Sequence, residues 1–234
     1  MDGALGHPVL GSCSVFAQFL SQYSIDAQCP MPNDSPTQVA LLVRPGEEQQ
    51  PFIDAIAHGE GQAVSFDASN NLPDEATGLL VAGVGAYGEN ESVPPALHQA
   101  VKKGISVLGI GWGMHALNVA MGGRPPIKVI GHGSPSDGDA TKHPLFMAPG
   151  GKVGYTIAGS GWVTVPSAHT HGLLPAQVAD GLLSSVYAED QVVEAIEMPG
   201  REWLIGVQWP AHLPDSTPKG FDSLLLALVE RSEQ

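Results

Sequence analysis

Leu108-Gly109-Ile110-Gly111-Trp112-Gly113-Met114-His115 decides the fold. An apolar run reading as a buried strand passes into a helical pattern with almost no loop between them. So sharp a turn requires small residues, and it lifts the residue at its apex into a cleft at the carboxyl end of a sheet. An apex residue backed by free N–H groups and a helix N-terminus can serve as an activated nucleophile beside an oxyanion hole. Glycine at the apex, Gly111, keeps the turn and lacks the nucleophile. An ordinary tight strand-to-helix turn would use the same glycines.

Outward from this turn, strands and helices alternate. Short apolar runs at 38–44, 62–66, 77–82 and 105–110 read as buried strands. Helical spacing occupies 47–58, a stretch from Pro94 and Pro95 to Lys103, and 114–121. Lys102, Lys103 and then Gly104 suit the negative end of a helix dipole and a C-cap. Alternation of this kind predicts an α/β fold, a mostly parallel sheet with helices on both faces. The second half adds strand-like pieces at 153–157, 161–165, 192–197 and 204–208, and an apolar helix around 221–229. Residues 1–36 read as an N-terminal extension and linker, with a possible amphipathic helix over 13–28 and proline breaks over 29–36. That helix could dock on a partner or pack on its own domain. Residues 37–234 form the domain proper.

A net charge of −14 opposes nucleic acid and anionic membrane surfaces as partners. No apolar run reaches membrane-spanning length. Cys13 and Cys29 make no disulfide framework, and no Lys or Arg precedes Arg44, so a reduced cytoplasmic setting without a signal peptide is expected.

The turn at Gly111 resembles the nucleophile elbow of class I glutamine amidotransferases and their γ-glutamyl hydrolase relatives, which read Gly-Ile-Cys-x-Gly-Met-Gln, then a helix and Gly-Gly. Here Gly109-Ile110-Gly111-Trp112-Gly113-Met114-His115 is followed by Gly122-Gly123. Val165-Pro166-Ser167-Ala168-His169-Thr170-His171 resembles the Val-Asn-Ser-x-His-His-Gln segment of the γ-glutamyl-γ-aminobutyrate hydrolase branch. Val193-Glu194-Ala195-Ile196-Glu197 and Gly206-Val207-Gln208-Trp209 give a third match, in the same order. The resemblance covers about residues 38–230 and implies the flavodoxin-like class I glutamine amidotransferase fold.

In that family cysteine attacks the substrate amide, histidine takes the proton, and glutamate orients the histidine. By resemblance these map to Gly111, Pro210 and His212, so no member of the triad remains. Gly83-Val84-Gly85 stands where the family has an oxyanion-hole loop, and the Trp112 N–H would be the second donor. Gly83, Val84, Gly85, Trp112, His115, Ser167, His169 and His171 are therefore candidates for holding a γ-glutamyl or carboxylate ligand. Resemblance also brings His115, His169, His171 and His212 towards one pocket, where they could hold Zn²⁺ or stay as hydrogen-bonded imidazoles. Ser167 beside His169 is a weaker nucleophile candidate, being on a strand and not an elbow. No cofactor is expected.

Three functions fit this pattern. One is a pseudoenzyme acting as a binding or regulatory subunit, beside a synthetase-like γ-glutamyl ligase, another protein partner or a second copy of itself. Another is a γ-glutamyl amide hydrolase with histidine-based chemistry. The third is a structural module that docks through its N-terminal extension.

Overall fold

Strand β1 (Thr37–Val43) shows why the sheet is buried on both sides. Val39, Leu41 and Val43 join one apolar core, while Ala40 and Leu42 join the other. Side chains alternate across a strand, so an apolar run without polar interruption covers both faces. The same division recurs in β3 (Gly78–Gly83), with Leu80 and Ala82 on one face and Leu79 and Val81 on the opposite one. The computed structural model describes residues 36–133 and 141–233.

Helix α1 (Gln50–His58) follows β1 and leads into β2 (Gly61–Ser65); α2 (Pro95–Lys103) separates β3 from β4 (Ser106–Gly111). Helix α3 (Trp112–Ala120) starts at the residue after β4 ends. Beyond it come β5 (Ile127–Lys128), β6 (Thr141–Met147), α4 (Lys152–Thr156), β7 (Gly161–Ser167) and β8 (His171–Gly172). The chain then runs through β9 (Leu183–Ala188), β10 (Val193–Glu197), β11 (Leu204–Val207) and α5 (Ser223–Ser232). Phe52 and Ile56 of α1 share a core with Leu224 and Leu228 of α5; Leu97 of α2 and Leu117 of α3 lie in the other core. Helices thus cover both faces.

The nine-stranded sheet has the order β2-β1-β3-β4-β11-β10-β9-β6-β7. From β2 to β11 every pairing is parallel, and from β11 to β7 every pairing is antiparallel. The predicted parallel strands 38–44, 62–66, 77–82 and 105–110 all appear, displaced by about a residue at their ends, as boundary assignment allows.

The segment 153–157, expected as a strand, lies instead largely within helix α4. The cause is tertiary. The amides of Lys152 and Val153 donate to the Glu197 carboxylate, at 2.8 and 3.1 Å, so a side chain from β10 receives the otherwise unpaired N–H groups of this helix start. Strands β6 and β9 were not expected. Pro144 and two charged or titratable neighbours, Lys142 and His143, disguise β6, and Pro144 sits just before the register with β9 begins at Leu145. The helix expected at 13–28, linker residues 29–35 and both cysteines fall outside the described residues.

Candidate functional site

The last residue of β4 is the apex of the turn. Gly111 has φ +56° and ψ −110°, a conformation in which a side chain is strained. A β-carbon placed on it would sit 2.4 Å from the carbonyl oxygen of Gly83, its register partner on β3. The sequence at this turn therefore has two local requirements. Gly111 supplies the left-handed backbone, and Gly113 lets α3 lie directly against β3, since a β-carbon there would meet the Val81 carbonyl at 1.8 Å.

Gly83, Val84, Gly111, His169, Pro210 and His212 line one small pocket of about 60 Å³, together with Ile110, Ala168 and Gln208. Gly111, Pro210 and His212, the positions that the motif resemblance sets against the family triad, are all among its lining. Gly85, Trp112, His115, Ser167 and His171 are not part of its lining. Trp112 is fully buried and its indole N–H donates to Glu91 at 2.9 Å. The Ser167 hydroxyl donates to the His132 carbonyl at 2.7 Å. His171 Nδ1 lies 2.9 Å from the Thr170 hydroxyl.

The loop after β3 already has an anion. Amide N–H groups of Val84 and Gly85 donate to the Glu47 carboxylate at 2.6 and 3.0 Å, and Arg44 pairs with the same carboxylate at 3.2 Å. Glu47 thus occupies the donors that the sequence reading reserved for a ligand. His212 stacks on Phe52 with ring centroids 4.2 Å apart. Burial pushes its imidazole down to about 4, against a small opposing pull from Glu47. His115 is wholly buried, and burial, then the neighbouring His169 and His171, hold it down to about 3. Both rings are neutral at pH 7.

A second cluster lies against this pocket. Ligand-type atoms of His132, His143, His169 and Glu194 all fall within 4.8 Å of one another. His169 belongs to both places. Of the four histidines singled out from the sequence, His115, His171 and His212 are outside the cluster. Burial opposes ionisation of Glu194, yet the adjoining His132 and His169 bring its carboxyl down to about 2, so it is an anion in the interior.

The sequence gives no site role to Glu47, His132 or His143, and Glu194 enters it as part of a strand and of the third motif match, not as a site residue. His132 and His143 lie outside the quoted motifs, so only a survey of every histidine would have raised them. Nothing local marks Glu47, which reaches the loop from the β1–α1 connection.

A mixed sheet with a parallel half, covered by helices on both faces, and a glycine elbow at the end of β4 define a class I glutamine amidotransferase-like domain. Residues 91–212 match the family described as Peptidase C26, just over half of the chain, and the chain belongs to that family. A Mycobacterium tuberculosis protein named "Putative glutamine amidotransferase" is 35% identical over 118 residues, spanning 48% of this chain and 37% of that protein. A Schizosaccharomyces pombe protein bearing the same description is 28% identical over 234 residues, covering 88% of each. Among solved structures, a Thermoplasma acidophilum protein described as part of a "putative GMP synthase" superposes with a TM-score of 0.66 at 13% identity. The match covers 84% of this chain and 95% of that one, a likeness of fold. No helix among the described residues is long and apolar enough to cross a membrane.

Proposed function

We propose that this chain is a catalytically degenerate glutamine amidotransferase-like protein that works as a binding, regulatory or partner subunit. The observation that carries the reading is Gly111 at the elbow, with the Gly83 carbonyl 2.4 Å from where a β-carbon would be. A γ-glutamyl thioester needs a sulfur at that apex and a general base beside it. Glycine and proline supply neither, and loss of one triad member alone typically lowers the rate by about 10⁴ to 10⁶.

Two features of the pocket support the same reading. At about 60 Å³ it has space for a few waters, whereas ligand pockets usually start near ~300 Å³. Glu47 already satisfies the amides of Val84 and Gly85, so a γ-glutamyl or carboxylate ligand would have to displace it. A domain that keeps its scaffold and lacks its chemistry acts through what it binds. A γ-glutamyl ligase-like synthetase is the partner class proposed; this rests on analogy with amidotransferases that feed a synthetase, since fold alone does not define function.

The test is exposure of the purified full chain to a glutamine-mimicking electrophile, followed by intact mass and peptide mapping. The expected result is an unmodified mass. A stoichiometric adduct on any residue lining the pocket would refute the proposal.

A further inference from the structure

We propose that His132, His143, His169 and Glu194 form a structural divalent-metal site, suited to Zn²⁺, buried in the antiparallel half of the sheet. The cluster owes nothing to the missing nucleophile. His132 Nδ1 and His169 Nε2 each lie 3.3 Å from Glu194 Oε1, and His143 Nε2 lies 3.8 Å from Oε2. Zinc–nitrogen bonds of about 2.0–2.1 Å in a tetrahedron place ligand atoms about 3.3 Å apart, so the three histidine–glutamate spacings already fit, and the widest separations in the group, up to 4.8 Å, would close by about 1.5 Å on binding.

The orientation of the rings is the stronger evidence. His169 Nδ1 is 2.9 Å from the carbonyl oxygen of His171, which can only accept, so Nδ1 carries the proton. Its Nε2 faces Glu194 Oε1 at 3.3 Å and is the nitrogen a metal would take from the neutral ring. His132 Nε2 lies 3.0 Å from Asp190 Oδ2, which likewise places a proton on the outer nitrogen and leaves Nδ1 as the atom facing Glu194. An imidazole that donates its outer N–H to a carboxylate or carbonyl is the usual support for a metal ligand. The inner atoms of all three rings and both oxygens of Glu194 are buried, without a hydrogen-bond partner among the described residues. Buried polar atoms left in this way are costly. One dication at their centre would satisfy all four groups together.

The ligands come from separate elements: His143 on β6, Glu194 on β10, His169 just after β7, and His132 in the loop that follows β5. A metal here would cross-link the antiparallel strands. Four protein ligands leave no open coordination position, which makes the site structural and not a generator of bound hydroxide. The expectation of no cofactor rests on the motif residues alone, which do not include His132 or His143.

The test uses the full chain produced in zinc-supplemented medium and desalted. Elemental analysis should give about one Zn²⁺ per chain. After removal by a chelator, Co²⁺ should rebind with the intense visible bands of tetrahedral coordination. His143→Gln and Glu194→Gln should abolish those bands, whereas His58→Gln, at a histidine outside the cluster, should keep them. Should the buried variants fail to fold, Asp190→Asn at a half-exposed position tests the same claim. It should weaken Zn²⁺ affinity by roughly 10- to 100-fold with the circular dichroism unchanged. A folded native chain that takes up neither Zn²⁺ nor Co²⁺, or folded variants, Asp190→Asn included, that bind as tightly as native, would overturn the proposal. Glutaminase activity plays no part in any of these readouts.

Discussion

Replacing Gly111 by alanine adds one carbon at φ +56° and ψ −110°, 2.4 Å from a backbone oxygen on the next strand. Two costs follow. A non-glycine residue held in a sparsely populated backbone region costs about 1–3 kcal/mol. Relieving the overlap means moving β3 and β4 apart by about an ångström in a dense core, and overpacking of that kind costs typically about 1–3 kcal/mol. Together they predict destabilisation by roughly 2–6 kcal/mol. With a urea slope of about 3 kcal/mol/M, the midpoint should fall by roughly 0.7–2 M. Equilibrium urea unfolding followed by circular dichroism measures this directly, with unchanged slope as the check on two-state behaviour. A midpoint within about 0.2 M of native, the range of a neutral surface change, would refute the reasoning. It would mean that β3 and β4 yield readily at the elbow and that the close approach of Gly83 does not restrict the apex.

Three further outcomes follow from the same geometry. His212 has a folded-state pKa depressed to about 4 from an ordinary 6.5, so its contribution is complete above pH 6.5 and is lost as pH falls towards 4. Urea unfolding between those pH values should show a loss of about 3 kcal/mol from this residue, and His212→Gln should flatten that limb. Buried Asn118 donates to the carbonyls of Arg124 and Gln177 and accepts from the Ala179 amide, each at 2.9 Å. Asn118→Ala strands the Arg124 carbonyl and the Ala179 amide, while the Gln177 carbonyl keeps the Arg124 N–H, and it should cost on the order of 2–3 kcal/mol in the same assay. In Glu47→Ala the Val84 and Gly85 amides lose their acceptor, so their nitrogen-15 NMR resonances should shift when acetate is added, while those of the native chain stay fixed.

The parallel half of the fold was legible because it is written locally. Uninterrupted apolar runs such as 77–82 bury both faces, and the elbow glycines leave a turn with one geometry. The antiparallel half depends on partners distant in sequence. Glu197 turns 152–156 into a helix, and β6 is a strand because β7 and β9 flank it, despite Pro144. The site divides in the same way. Gly111, Pro210 and His212 could be found by matching motifs, and they do line one pocket. Glu47, His132 and His143 acquire meaning only when the chain folds back and brings a carboxylate to two amides, or three rings to one carboxylate.

The most direct measurement of the central claim is hydrolysis of glutamine and of γ-glutamyl amides by the native chain, run beside a Gly111→Cys, Pro210→His, His212→Glu triple variant whose folding is verified first. The native chain should release no ammonia or amine above the uncatalysed background. Turnover by the native chain at ordinary enzyme rates would contradict the account, whatever the variant does.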